Sequence, residues 1–267
     1  MKCDFHVHTW HSDDSQTPME TMTRRAIELG LEEICFTDHI DYGVKWDDGP
    51  KERRNCLCEP YFEELYAIQR KYENEIVIRA GMEFGIQPET APMFQKTYDS
   101  WKFDFIILSC HQANNREFWN QDFQQGKTQA EIHEAYYSNI LASMHCFHDY
   151  SVLGHLDMIK RYDPYGDYPD ERVLPMVEEI LRLAILQGKG IEVNTSCFRY
   201  GLKDLTPSRA ILRLYRALGG EILSMGSDAH KPADLAAYIE ATKPVLRDLG
   251  FRYFCTFDKM KPIFHKL

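Results

Sequence analysis

Apolar residues along this chain fall into two patterns that alternate. Short runs rich in Val, Ile, Leu, Phe and Cys read as strands: Cys3 to Phe5, Glu33 to Thr37, Ile76 to Met82, Phe105 to Cys110, Ser151 to Gly154, Gly190 to Asn194 and Ile222 to Gly226. Between them lie segments with apolar positions at helical spacing. Thr17-Pro18-Met19-Glu20 carries the N-cap, first-turn proline and capping-box glutamate of a helix start, and Gly30 ends that segment. Thr206-Pro207 opens another helix, with Ile211, Leu214, Tyr215 and Leu218 before Gly219. Further helices are predicted from Tyr61 to Lys71, from Thr128 to about His148, from Asp170 to Gln187 and from Ala233 to Leu249.

Strictly alternating strands and helices call for a parallel sheet, either doubly wound and open or closed into a barrel. The polar residues that end the strands separate the two. His6 and His8, Asp38 and His39, Glu83, His111, His155, and Asp228 with His230 each follow an apolar run. An open sheet gathers its functional groups near one topological switch point, whereas the C-terminal mouth of a barrel collects them from every strand. The pattern therefore favours an α/β fold with a closed seven-stranded barrel.

At 267 residues, residues 1–267 fit one domain of that kind, and 44% hydrophobic with 27% charged content is that of a globular protein. A formal charge of −10 with no basic stripe argues against a nucleic-acid partner, because phosphate neutralisation needs clustered Lys and Arg. The chain enters a strand at once through Lys2, Cys3 and Phe5, without signal-peptide organisation, and no apolar run reaches the length of a membrane helix. A cytoplasmic location without membrane contact is the expectation. Of the eight cysteines, Cys35, Cys110, Cys197 and Cys255 sit in apolar runs, where a thiol behaves as a small hydrophobe. Cys56-Leu57-Cys58 lacks a second pair at zinc-knuckle spacing and reads as a reduced loop pair.

Side chains alternate faces along a strand, so His6 and His8 point the same way. Imidazoles and carboxylates gathered at one end of a sheet point to metal. Mixed donors of these types, with no thiolate, suit zinc, manganese or iron better than calcium or magnesium.

The motifs His6-x-His8-Thr9-x-x-Ser12-x-Asp14-Ser15, Thr37-Asp38-His39, Gly81-Met82-Glu83, Ser109-Cys110-His111, Gly154-His155-Leu156-Asp157 and Gly226-Ser227-Asp228-Ala229-His230 resemble those of the polymerase and histidinol phosphatase (PHP) superfamily. Within it, Asp157 to Tyr162 and Glu192 to Arg199 resemble the histidinol-phosphate phosphatase subgroup. The resemblance implies a distorted seven-stranded (β/α)7 TIM-like barrel with up to three divalent metals. His6, His8, Glu83 and Asp228 would hold one, Glu83 would bridge to a second held by His111 and His155, and Asp14, His39 and His230 would hold a third. His11 and Asp13 offer similar donors beside Asp14, whose spacing from His8 favours it. By the same resemblance Arg161 and Arg199, each just past a strand end, are phosphate clamps.

The implied reaction is hydrolysis of L-histidinol phosphate to L-histidinol and phosphate in histidine biosynthesis, by a hydroxide that two bridged cations acidify from water. Another small phosphate ester or a nucleotide is the alternative substrate, and a non-catalytic metal-binding domain is a third reading. Neither Ser109 nor Ser227 sits in a nucleophile elbow, which sets a serine mechanism aside. Asp38 and Asp157, each beside a ligand histidine, are expected to orient an imidazole. Asn194 either lines the pocket or caps the following turn. The loops Asp41 to Pro60, with Tyr42, Trp46, Asp47 and Asp48, and Asn114 to Lys127, with Glu117, Trp119 and Asp122, would form an acidic, aromatic rim suited to a cationic amino alcohol. His133, His145, His148 and His265 are read as exposed or structural.

Overall fold

A computed structural model describes residues 1–43 and 55–267. Its centre is a parallel sheet of β1 (Cys3–Val7), β2 (Glu33–Phe36), β3 (Val77–Gly85), β4 (Phe105–Ser109), β5 (Val152–Leu153), β6 (Gly190–Asn194) and β7 (Leu223–Gly226), each paired with the next in chain order. A short strand, His39–Ile40, lies beside Glu83–Phe84 at the C-terminal end of β3. Every residue of β1, β2, β4, β5, β6 and β7 is buried. Two-sided burial is why these strands read as nearly continuous apolar runs.

The sheet curls until its ends meet. Val7 bridges Ala229 in parallel, with the His8 N–H donating to the Ala229 carbonyl at 2.9 Å and the Ala229 N–H to the His6 carbonyl at 3.3 Å. Contact at the C-terminal end alone makes this a nearly closed, distorted barrel, as the strand-end residues predicted. Asp4 fastens the seam. Its fully buried carboxylate accepts from the backbone N–H of Ser227 at 2.9 Å and of Ala236 at 2.8 Å, and from the Ser227 hydroxyl.

Around the barrel run α1 (Met19–Glu28), α2 (Cys58–Lys71), α3 (Ala91–Ser100), α4 (Gln129–Cys146), α5 (Asp170–Leu186), α6 (Arg209–Ala217) and α7 (Ile239–Asp248). Thr128 caps α4 in a reciprocal box with Glu131. Two predicted starts are displaced. Thr17 does not cap α1, because its hydroxyl donates to the His230 carbonyl at 3.1 Å. Thr206 and Pro207 lie in the turn before α6, joined by a cis peptide, and the cap is Ser208, which accepts from the Ile211 N–H. The segment from Ala233 does not form one helix: a 3₁₀ turn at Pro232–Asp234 gives way to a bend that brings Ala236 to Asp4 before α7 begins.

Helix α3 and a C-terminal hairpin, β8 (Tyr253–Asp258) with β9 (Lys261–Lys266), were not anticipated. The hairpin packs under the barrel's N-terminal end, with the Phe257 ring 4.8 Å from Phe105 and the Met260 N–H on the Asp104 carbonyl at 2.9 Å. All eight cysteines are free, Cys56 being buried in the loop that leads into α2 and Cys58 half-buried at its start. Among the described residues no helix is long and apolar enough to cross a membrane.

Asp4→Ala should strand the buried N–H of Ser227 and the part-buried N–H of Ala236 and lower unfolding stability by about 1–3 kcal/mol, the cost of a buried unsatisfied donor. Denaturant titration measures this, and a loss below ~1 kcal/mol would mean that the seam does not depend on Asp4.

Candidate metal centre

Glu83, at the C-terminal end of β3, has no exposed surface and stands at the middle of the mouth. Its Oε1 lies 3.1 Å from His111 Nε2 and 2.8 Å from His155 Nε2, and accepts from the Ser109 hydroxyl at 2.6 Å. Its Oε2 lies 3.0 Å from His6 Nε2, 3.4 Å from His8 Nε2 and 3.0 Å from His39 Nδ1. The two oxygens thus face two different groups of imidazoles, the arrangement a bridging carboxylate requires.

Asp228 approaches from the seam, with Oδ1 3.8 Å from His6 Nε2, 3.6 Å from His8 Nε2 and 3.7 Å from His230 Nδ1. Asp14 closes the outer side, with Oδ2 2.9 Å from His230 Nε2 and 3.5 Å from His39 Nε2. Its two neighbours part company: His11 turns to Glu64 at 2.8 Å, and Asp13 lines the cavity wall. His8 stacks between His39 and His230, at centroid distances of 4.2 Å and 4.1 Å.

Close approach is possible because glycines stand where side chains would collide. A Cβ on Gly226 would lie 2.2 Å from His6 Cβ and 2.6 Å from Glu192 Oε1, and one on Gly85 would lie 1.7 Å from Asp41 Oδ1.

The cluster's electrostatics are those of a cation site. Burial opposes ionisation of Glu83, but His6, His111 and His39 outweigh it and hold its pKa well below the carboxylate range. Asp228 is likewise depressed against its burial, by His6, Arg161 and His230. Burial lowers the pKa of His8, and His230, His39 and His6 lower it further. For His111, burial is overcome by Asp41 and Glu83, which push it up to about 9. Fit to a metal is tested by three buried nitrogens, His8 Nε2, His39 Nδ1 and His230 Nε2, which lie 2.9–3.4 Å from carboxylate oxygens without the alignment of a hydrogen bond. Four three-residue groups drawn from these residues place one donor atom each within 4.8 Å of one another: His6, His8 and Asp228; His6, Glu83 and His155; His39, Glu83 and His111; His8, His39 and His230. An imidazole lone pair left unpaired in the interior is costly, and a divalent cation satisfies it.

A ring of hydrogen bonds orients the ligands from behind. His6 Nδ1 lies 2.5 Å from Glu192 Oε1, and Glu192 Oε2 accepts from the His155 N–H at 2.8 Å. His111 Nδ1 lies 2.8 Å from Asp41 Oδ1. Asp38 acts at one remove: it accepts from the Ser12 hydroxyl at 2.7 Å, and Ser12 Oγ lies 3.1 Å from His8 Nδ1. Asp157 reaches no ligand imidazole and accepts from Lys160 Nζ and the Ser208 N–H instead. Asn194 does two things, accepting from the Ser196 N–H and donating to Glu192 Oε2 and, at 3.4 Å, to Asp228 Oδ2. Sequence reasoning passed over Glu192 and Asp41 as orienting groups. A lone carboxylate inside the apolar run Gly190 to Asn194 was the available signal for Glu192.

The cluster forms one wall of a cavity of about 360 Å³, lined on the other side by Met158, Arg161, Tyr162, Tyr200, Glu117 and Trp119. Arg161 is there; Arg199 is not. The Arg199 guanidinium donates to the carbonyls of Ser227 at 2.7 Å and Asp228 at 2.6 Å, behind the ligand loop. Asp122 is absent from the wall, and Tyr42 packs on Phe94 with its hydroxyl 2.9 Å from Thr97 Oγ1. Trp46, Asp47 and Asp48 lie outside the described residues. His133 is buried and paired with Asp163 at 2.8 Å, a structural role.

A histidinol-phosphatase of Lactococcus lactis subsp. lactis is 30% identical over 265 residues, 97% of this chain and 96% of that one. One from Bacillus subtilis is 23% identical over 266 residues, 90% of this chain and 97% of that one. The crystal structure of the histidinol phosphate phosphatase of Lactococcus lactis subsp. lactis, complexed with zinc, L-histidinol and phosphate, matches with a TM-score of 0.87 at 30% identity over 98% of each chain. A putative histidinol phosphatase from Listeria monocytogenes matches with a TM-score of 0.73 at 20% identity, over 90% of this chain and 99% of that one. The PHP domain itself matches residues 4–196, which take in the mouth from His6 to His155, and the chain belongs to the PHP domain family.

Proposed function

We propose that this protein is a metal-dependent phosphatase that hydrolyses L-histidinol phosphate to L-histidinol and inorganic phosphate. The observation that carries the reading is the composition of one cavity: a cluster of imidazoles and carboxylates able to hold cations and, 3.5 Å from its Asp228, a buried arginine. A volume of about 360 Å³ suits a small ester rather than a polymer. The relative whose fold this chain shares at a TM-score of 0.87 was crystallised with L-histidinol and phosphate.

His6, His8, Glu83 and Asp228 would hold one cation, Glu83 with His111 and His155 a second, and Asp14, His39 and His230 a third, each being zinc, manganese or iron by donor type. Divalent cations bound there supply Lewis acidity, lowering the pKa of water so that it attacks phosphorus near neutral pH and offsetting charge on the phosphoryl oxygens. Every other task falls to the protein. Glu192 and Asp41 hold His6 and His111 by their Nδ1 atoms, so that each presents Nε2 to the centre. Arg161 binds phosphoryl oxygens with a planar fork. Arg199 can reach phosphate only by exchanging its bonds to the Ser227 and Asp228 carbonyls, so its first task is to support the Asp228 backbone. Glu117 and Trp119 line the side where the amino alcohol would leave, and they suit a cationic, imidazole-bearing group.

Phosphate release from histidinol phosphate, nucleotides and sugar phosphates, with chelator or with added zinc, manganese or iron, tests the substrate. A strong chelator-sensitive preference for histidinol phosphate is expected, and turnover of other esters alone would move the reading to another phosphoesterase. Proton balance tests the ligands. Below a pKa of about 9 the metal-free His111 carries a proton that it must lose to coordinate, so zinc binding at pH 7 should release protons and tighten as pH rises towards that value. Calorimetry in buffers of different ionisation heat measures the release, and none at pH 7 would count against His111 as a ligand. Glu192→Gln should weaken metal affinity by about 10–100-fold with the fold intact, and unchanged affinity would remove Glu192 from the supporting ring.

A further inference from the structure

One turn of chain grips Arg161 from two directions. The Arg161 side chain is only 5% exposed, and its Nη2 donates to the Ser196 hydroxyl and lies 3.5 Å from Asp228 Oδ2. Its face lies over the ring of Tyr200, with Cζ 4.1 Å from the ring centroid. Ser196 and Tyr200 belong to the same turn, closed by the Tyr200 N–H on the Ser196 carbonyl at 3.0 Å. That turn is in turn anchored to the end of β6 by the Ser196 N–H on Asn194 Oδ1 at 3.0 Å. One hydrogen-bonded turn therefore holds the guanidinium at two points, through the Ser196 hydroxyl and the Tyr200 ring.

Burying a cation this deeply calls for compensation. A guanidinium has five N–H donors, yet Arg161 Nε is buried with no hydrogen-bond partner among the described residues. Asp228, the nearest anion, is shared with His6, His8 and His230. Arg161 thus lines the cavity beside Asp228, with its orientation unspecified by any carboxylate of its own. Tyr200 lines the same cavity and is half-exposed, so its ring contributes little to the core.

We propose that Tyr200 is a positioning residue for the phosphoryl group. With the guanidinium carbon over its ring, it restricts the direction in which the donors of Arg161 point. Two parallel N–H bonds to a phosphate need the fork coplanar with the oxygens, and a long arginine side chain without a platform spreads over several rotamers. An aromatic face supplies both the restriction and an electrostatic attraction to the cation. The proposal rests on the reading of the cavity as a phosphomonoester site.

The test is binding of inorganic phosphate and, separately, of L-histidinol to the metal-loaded protein by calorimetry, for wild type, Y200A, Y200L and Y200F, with metal content measured on each. Y200A and Y200L should weaken phosphate binding about tenfold, in the range expected for loss of a desolvated cation–π contact, without loss of metal or of L-histidinol binding. Y200F, which keeps the ring, should restore most of the phosphate affinity. In an Arg161→Ala background, Y200A should add almost nothing. Unchanged phosphate affinity in Y200A would overturn the proposal. So would a full loss in Y200F, an equal loss in the Arg161→Ala background, or a loss carried by L-histidinol, since each would mean that Tyr200 acts on the ligand directly. Wild type that binds phosphate in a Tyr200-dependent way but does not turn over histidinol phosphate would refute the substrate and leave the role of Tyr200 standing.

Discussion

The buried carboxylate of Glu83 is the constraint around which the molecule is arranged. Removing an anion from water costs several kcal/mol even after the protein relaxes. The cost is met only because imidazoles from β1, from the loops after β1, β4 and β5, and from the short strand after β2 converge on its two oxygens. Those same imidazoles crowd one another: His8 is stacked between two more rings, and its burial, then those rings, push its pKa down. Carboxylate and histidines each make sense only with the other, and their buried, poorly aligned nitrogens are donors of the kind a divalent cation takes.

Convergence of that kind sets demands on the barrel. Strand ends must come within side-chain reach, which accounts for glycine at 85 and 226, where a Cβ would strike Asp41 or His6. Asp228 must turn back into the mouth with a left-handed backbone, φ +56°, a conformation that costs an L-residue roughly 1–2 kcal/mol. It is held from both sides. Asp4 takes the Ser227 N–H and hydroxyl from within the seam, while Arg199 donates to the carbonyls of Ser227 and Asp228 from the opposite side. Barrel closure and the placement of Asp228 are therefore one piece of structure: the residues that fasten β1 to β7 also aim its carboxylate into the mouth.

The seven strands and most of the helices were legible because two-sided burial writes itself as apolar runs, and because Thr128 and Glu131 form the box their types suggest. Signals failed where a long-range contact outbid a local one. Thr17 has the chemistry of a cap but spends its hydroxyl on the His230 carbonyl, and the segment after Ala233 has helical periodicity but is drawn to Asp4 at Ala236. The hairpin β8–β9 carries no hairpin turn signal, and its partner is the underside of the barrel rather than anything nearby in the chain. Arg161 and Arg199 look alike along the chain, each just past a strand end. The fold turns one into the cavity and the other onto backbone carbonyls.

By itself, the sequence determined the alternation of strands and helices, the closed arrangement implied by histidines and carboxylates at six of the seven strand ends, and the donor types that call for a divalent metal. These are properties of periodicity and residue chemistry, which are written locally. Only the tertiary structure decided which oxygen of Glu83 faces which imidazoles, that Glu192 and Asp41 stand behind His6 and His111, and that Tyr200 lies on the face of Arg161. Each of those is a contact between segments far apart in the chain, and its geometry is set by how the barrel curls rather than by any spacing along it.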